Sequence, residues 1–304
     1  MNRTVFPEPE AEPADAHAAY QLYQDIARNR ARNGFLDFHS NQMDRDAMPF
    51  LVRALPVAHE MASYPTLSAF VADLQRHTAS DRSVYFNAIV PMNDRASQTV
   101  HTVAMSVRRD EARTGARLSL VYVEPASLPA FDIAEVQAVS ELTPMHRMGL
   151  VLASVYHDFF GTILPAAFDP ASAPYRLVIS MNLQKSARDC AMFSFFLARR
   201  MTRELTDPWH RDASLAPWPR VLQDAALALP PRFYKHASSV GHIGQVVEQA
   251  GGDAIINKRG ESLMTRTHRY VMRRSDKLSA NHNGSILLKR EDYVKRALAT
   301  LQQT

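Results

Sequence analysis

The order of patterns along this 304-residue chain predicts an α+β fold with a small, mainly antiparallel sheet. Three observations carry the expectation. Apolar residues first recur at helical spacing, as in Leu67, Phe70, Val71 and Leu74. The period then shortens to near-alternation in segments rich in β-branched and aromatic residues. Helical spacing finally returns for most of the second half. Helices, then strands, then helices is the order of an α+β domain rather than of alternating βαβ units.

Taken in turn, residues 1–15, with Pro7, Pro9 and Pro13, read as a flexible leader, and 15–33 as a helix with a basic end. A second helix is expected over 66–77. Strands are expected over 84–90, 99–107 and 117–123, with a turn at 110–115. A mostly helical section should run over 133–160, and Pro170 and Pro174 then precede a strand over 175–181. Helices are expected over 190–205, 221–229 and 240–250, and a last one from Lys289. The organisation predicted is a leader and N-terminal helix over 1–40, a core over 41–230 and a basic segment over 231–304.

Composition narrows the function classes. Hydrophobic residues make up 46% and charged residues 22%, an ordinary globular balance. One cysteine excludes an intrachain disulfide framework and a multi-thiolate metal site, and no metal is expected. No stretch reaches the ~18 unbroken apolar residues of a membrane span. The start of the chain lacks the apolar h-region of a cleaved signal, and Asn2 excludes N-myristoylation. The net charge of +4 hides an asymmetry: from Arg232 onward 13 Lys/Arg stand against 6 Asp/Glu. That segment is the part that should attract an anion.

The lone cysteine, Cys190, follows Asp189, a good N-cap type, and opens the run Ala191-Met-Phe-Ser-Phe-Phe-Leu-Ala. It is therefore expected in the first turn of a helix, where the dipole favours a thiolate. Nucleophilic thiol chemistry also needs a base, a group that orients the base, and donors for an oxyanion. His101 lies on one expected strand and Glu124 ends the next. Adjacent antiparallel strands would bring the imidazole and the carboxylate together. Gln184, six residues before Cys190, is the candidate oxyanion donor beside the Cys190 amide. Singly, each residue is as well read as a packed or solvated side chain; their joint order is more specific.

That order resembles the YopJ family of bacterial type III effectors, acetyltransferases on a cysteine-protease-like fold. The resemblance rests on His101, on Glu124-Pro125-Ala126, on Gln184, and on Asp189-Cys190-Ala191-Met192-Phe193-Ser194-Phe195. Downstream, Phe233-Tyr234-Lys235-His236 and Ile256-Asn257-Lys258-Arg259 match two further family motifs. The likeness covers about residues 60–300. Two departures are the long interval between Glu124 and Cys190, which suggests an insertion within 131–175, and Ala191 where relatives often have Gly.

The resemblance implies a papain/ubiquitin-like-protease-type core with a helical, basic regulatory lobe. It implies a His101–Glu124–Cys190 triad with Gln184 at the oxyanion, acetyl-CoA as donor, and Ser, Thr or Lys of host proteins, kinases or immune components, as acceptors. Lys235 takes the place of the family's autoacetylated lysine. Inositol hexakisphosphate is the implied activator, with Lys258, Arg259, Arg266, His268, Arg269, Arg273 and Arg274 as its candidate ligands, joined by Lys289 and Arg290. From charge alone that run reads first as a solvated basic face, with a nucleic-acid site as a second reading; the resemblance implies no stable nucleic-acid partner. Delivery by the type III route into host cytoplasm or nucleus is likewise implied. A cysteine protease acting on ubiquitin-like conjugates, and a non-catalytic polyanion-binding effector, are the competing readings.

Overall fold

The computed structural model describes residues 44–55, 61–80, 83–93, 100–109, 117–126, 144–184, 189–202, 209–211, 220–223, 230–272 and 282–301. The expected leader, the 15–33 helix, the 110–115 turn and residues 131–143 lie outside these.

A six-stranded sheet in the order β1 to β6 forms the centre: Met61–Ser63, Val84–Asn93, Val100–Arg109, Ser119–Glu124, Tyr175–Ser180 and Arg220–Gln223. β2–β3 and β3–β4 are antiparallel, whereas β1–β2, β4–β5 and β5–β6 are parallel. The α+β class is as expected, but the sheet is mixed rather than mainly antiparallel. The antiparallel ladders are the segments whose alternation is legible. The parallel partner β5 is reached only through a long helical crossover, which local patterning does not reveal.

Helices cover both faces. Period-2 alternation sends Ile89, Ala104, Val121, Val123, Leu177 and Ile179 into one core cluster and Val90, Met105, Leu120, Tyr122 and Val178 into the other. The second layer contains helix α2, Leu67–Thr78, whose Thr66 side chain accepts from the Ala69 amide as an N-cap. It also contains α3, Pro144–His157, which continues through a π-helical turn, Asp158–Ile163, into α4, Leu164–Ala167. Pro165 is the second residue of α4, directly after the π-helical turn. Consecutive Phe159 and Phe160 are both buried there against Tyr122, with ring centroids 6.4 and 5.5 Å away.

Against the other face lies α5, Cys190–Met201, in which every residue but Arg200 is buried. A helix apolar nearly all round has to be internal. Around it pack α1, Met48–Ala54, and the C-terminal helix, Ser285–Leu301. Between α5 and that helix run the 3₁₀ turn Pro231–Tyr234, α6 (Val240–Gln249), α7 (Leu263–Arg269) and a short ribbon of β7, Val271–Met272, with β8, His282–Asn283. The C-terminal helix is numbered α8. It begins at Ser285 rather than Lys289 because the Asn283 Oδ1 accepts from the Ser285 amide at 3.0 Å.

One expectation is overturned. Residues 221–223, expected to begin a helix, belong with Arg220 to β6 and pair parallel to β5. A short apolar run such as Val221-Leu222 is ambiguous in isolation, and the open edge of β5 decides it. Residues 224–229 lie outside the described set.

The layer of α5 is pinned to β3 at one point. The Ser194 hydroxyl donates to the Thr102 carbonyl at 2.8 Å, both groups being buried. Pro91, opposite Thr102 in the β2–β3 register, has no N–H to offer that carbonyl. Ser194 therefore satisfies a buried acceptor one turn after Cys190 and one residue after His101. Ser194→Ala should lower stability by about 1–2 kcal/mol, read as a shift in urea midpoint at constant m-value. An unchanged midpoint would show that the hydroxyl does not hold the layers together.

Candidate active site

The site forms where β3 begins, β4 ends and α5 begins. Alternation along β3 and β4 turns His101 and Glu124 to the same face. The His101 Nε2 donates to both Glu124 carboxylate oxygens, at 2.8 and 2.9 Å. That leaves Nδ1 as the ring nitrogen for the Cys190 side chain, with which the imidazole also hydrogen-bonds. The three residues are 5%, 0% and 1% exposed respectively, so the contact operates out of water. The structure thus brings together the three residues that the sequence pairs by order alone.

Glu124 has two further partners that sequence reasoning missed. The Tyr122 hydroxyl donates to Oε2 at 3.1 Å and the Ala126 amide to Oε1 at 2.9 Å. Tyr122 lies two residues before Glu124 on the same strand face, a period-2 signal that could have identified it. Its ring is wedged among Tyr156, Phe159 and Phe160, which fixes the hydroxyl. Burial pushes the Tyr122 hydroxyl well above its ordinary value, and the Glu124 charge adds to this, so Tyr122 stays a donor. A buried carboxylate requires such complete pairing.

Burial by itself would disfavour the His101 imidazolium. The Glu124 charge, the hydrogen bonds to Cys190 and Glu124, and the charge of Cys190 outweigh it and raise the imidazole to about 10. His101 is consequently protonated through the neutral range, with its ring fixed by the carboxylate.

Gln184 is buried just beyond β5, and its amide and that of Leu183 both bind the Pro125 carbonyl, at 2.9 and 2.8 Å. Asn182, two residues earlier, adopts φ 49°, a left-handed conformation that Asn tolerates. The turn directs the chain from the sheet toward Cys190; residues 185–188 lie outside the described set. Asp189 occupies the N-cap position of α5, yet its side chain caps no amide of that helix. Its carboxylate accepts instead from Arg290 at 2.7 Å. A cavity of about 400 Å³ adjoins the site, lined among others by Thr102 and Ala191, the chain neighbours of His101 and Cys190, and by Arg45, Asp46 and Tyr64.

A second, basic cavity of about 120 Å³ lies at the far end of α5. Phe196, Arg199 and Arg200 come from that helix, Lys235 and His236 from the turn after Tyr234, and Lys289, Tyr293 and Arg296 from α8. Burial, then the charges of Arg266, Arg200 and Lys289, pull Lys235 down to about 8. Burial and the same cations hold His236 well below its usual range. The His236 Nδ1 is 2.9 Å from the Ser285 hydroxyl, while its buried Nε2 has no partner among the described residues. Cations from α5, the turn after Tyr234 and α8 thus face one hollow, with Asp292 beside Lys289 and Arg296.

The candidate polyanion residues are placed differently. Arg266 and Arg269 both pair with Glu261, at 3.4 and 2.8 Å, and Arg266 also lies over the Tyr270 ring. Lys258, Arg259 and His268 are exposed and do not line the cavity; Arg273 and Arg274 lie outside the described residues. Of the two added candidates, Lys289 lines the cavity and Arg290 is buried between Asp44 and Asp189. Sequence reasoning missed Arg199, Arg200 and Arg296. Among the described residues no cluster suited to a metal and no helix able to cross a membrane is present.

Glu124→Gln should return His101 toward or below its ordinary value, as seen in an NMR titration of the imidazole in a Cys190→Ala background compared with Cys190→Ala alone. A raised folded-state value stabilises fully below the unfolded value, about 6.5. That contribution is lost as pH climbs from there through about 10. Stability should therefore fall over this window in the protein with Glu124 and fall less in Glu124→Gln; equal slopes would contradict the assignment.

The family profile described as YopJ Serine/Threonine acetyltransferase matches residues 16–296. No curated protein matches the chain. Among solved structures, the chain is similar to a deletion variant of AvrA with IP6 and CoA, with 20% identity over 93% of this chain and 98% of that one and a TM-score of 0.68. It is similar also to HopZ1a in complex with IP6 and CoA, with 18% identity over 95% and 97% of the two chains and a TM-score of 0.68.

Proposed function

Since the chain belongs to the YopJ serine/threonine acetyltransferase family, we propose that it moves an acetyl group from acetyl-CoA to a Ser, Thr or Lys of a host protein through a thioester on Cys190. The observation that carries this reading is the buried imidazole of His101, held by both oxygens of Glu124 and hydrogen-bonded to Cys190.

In the first half-reaction the thiol proton resides on His101 and the Cys190 sulfur attacks the acetyl carbonyl. The oxyanion is met by the Cys190 amide and the Gln184 side-chain amide. Collapse breaks the carbon–sulfur bond to CoA, whose thiolate takes the proton from His101 as it leaves. An acceptor hydroxyl or amine then attacks the Cys190 thioester, passing its proton to His101 while the Cys190 thiolate departs. Glu124 supports each imidazolium stage through its two contacts to His101, and Tyr122 and the Ala126 amide keep it in place.

Inositol hexakisphosphate, present in the AvrA and HopZ1a structures named above, is the polyanion proposed for the basic cavity. Arg199, Arg200, Lys235, Lys289 and Arg296 supply its donors, Arg266 adds charge from the side, and the His236 Nε2 offers a further polar contact. Lys258, Arg259, His268, Arg269, Arg273 and Arg274 would serve only as outer charges. Lys235, at about 8 before a polyanion binds, is also the residue proposed for autoacetylation. The segment 231–304 is read as the regulatory part acting on a core of 41–230, and the chain as an effector delivered by the type III route.

Intact mass of the purified chain with acetyl-CoA tests this reading. Wild type should gain acetyl groups only with inositol hexakisphosphate, and Cys190→Ala none; acetylation of Cys190→Ala at the wild-type rate would refute the thioester route. Uptake of no acetyl, with cleavage of a ubiquitin-like conjugate, would move the reading to a protease. Arg200→Gln should raise the inositol hexakisphosphate concentration needed for half-activation by about tenfold, from the loss of one charge-assisted contact.

A further inference from the structure

We infer that Arg290 is a positioning residue that couples occupancy of the basic cavity to the geometry at Cys190. This rests on the acetyltransferase reading above and on the assignment of that cavity to a polyanion.

Arg290 stands on α8, beside Lys289. Successive residues of a helix point about 100° apart. Lys289, Tyr293 and Arg296 accordingly line the cavity on one stripe, while Arg290 turns inward. Its Nε donates to both Asp44 oxygens, at 2.9 and 3.0 Å, and one terminal nitrogen donates at 2.7 Å to Asp44 and at 2.7 Å to Asp189. All three side chains are buried.

Each carboxylate leads to a different part of the site. Asp189 immediately precedes Cys190, and its charge is committed to Arg290 rather than to capping α5. Asp44 opens the segment whose Arg45, Asp46, Met48 and Pro49 form a wall of the cavity beside Thr102 and Ala191. One guanidinium thus fastens the start of the nucleophile's helix and one wall of the adjoining cavity to the helix that carries two of the polyanion's cations.

The cost of losing such a trio argues for a specific use. Two buried carboxylates sharing one cation are held only by good geometry, and apolar residues would stabilise the same space at least as well. What an apolar substitute lacks is a fixed register between α8 and Asp189. Lys289, Arg200 and Lys235 bring like charges to one small cavity, and Asp292 offsets part of that at Lys289. A bound polyanion offsets the rest and draws α8 toward the end of α5. Arg290 transmits the shift to Asp189, and Asp44 carries it to the cavity wall. Lysine keeps the charge but cannot form the fork to two carboxylates.

The test compares full-length wild type, Arg290→Lys and Lys289→Gln. Calorimetry gives the inositol hexakisphosphate dissociation constant, and mass spectrometry gives the rate of Cys190 acetylation by acetyl-CoA as the polyanion is titrated. Arg290→Lys should bind the polyanion within about threefold of wild type yet lose at least about tenfold of its acceleration at saturation. Lys289→Gln should do the reverse, binding more weakly while recovering the acceleration at saturation. An Arg290→Lys protein that keeps wild-type acceleration, or loses it only through weaker binding, overturns the inference alone. A wild type that takes no acetyl at any polyanion concentration overturns the acetyltransferase reading and this inference with it. Should Arg290→Lys fail to fold, the isosteric Asp189→Asn must show the same split, and full acceleration in Asp189→Asn overturns the proposal.

Discussion

The imidazole of His101, bonded at 2.8 and 2.9 Å to a carboxylate with no exposure to water, sets the terms for the rest of the molecule. An ionised Glu124 inside the protein is tolerated only because it is fully paired, and each partner has its own support. Tyr122 is fixed by rings from α3 and the π-helical turn that follows it, and the Ala126 amide lies in the bend at Pro125-Ala126. His101 in turn depends on β3 lying between β2 and β4. The long crossover between β4 and β5 thus furnishes the dry aromatic wall behind the pair as well as closing the sheet.

The nucleophile arrives from the opposite layer. Cys190 begins α5, whose position over the sheet is set by the Ser194–Thr102 hydrogen bond and by the packing of Phe193 and Phe195. The same helix ends in Arg199 and Arg200 at the basic cavity. At a rise of about 1.5 Å per residue the two sites are separated by under ~20 Å of one rigid element. The second route, through α8 and Arg290, runs beside the first. The activation proposed for an anion at one end would need no long chain of intermediates, only a small displacement of two packed helices against a sheet.

Much of this is legible in the sequence because it is local. Alternation marks β2, β3 and β4, and the apolar run after Cys190 marks a helix buried on nearly all sides. His101 and Glu124 end up paired because the strands that carry them are neighbours. The basic cavity is not legible, since its cations stand at 199, 200, 235, 289 and 296 and meet only through folding. The visible charge run at 258–274 is spent in part on local pairing, as Arg266 and Arg269 with Glu261 show. Asp189 misleads for a related reason. Its residue type suits a cap, and a distant arginine claims the carboxylate first. The strand at 220–223 depends on the free edge of β5, which no local pattern contains.

The central claim is that Cys190 itself carries the acetyl group between donor and acceptor. Rapid-quench mixing with labelled acetyl-CoA and inositol hexakisphosphate, followed by peptide mapping with and without neutral hydroxylamine, tests it most directly. The account predicts that label appears first on the Cys190 peptide, is released by hydroxylamine as a thioester must be, and then moves to the acceptor at the rate of turnover. Label reaching the acceptor without passing through a hydroxylamine-sensitive Cys190 adduct would contradict it.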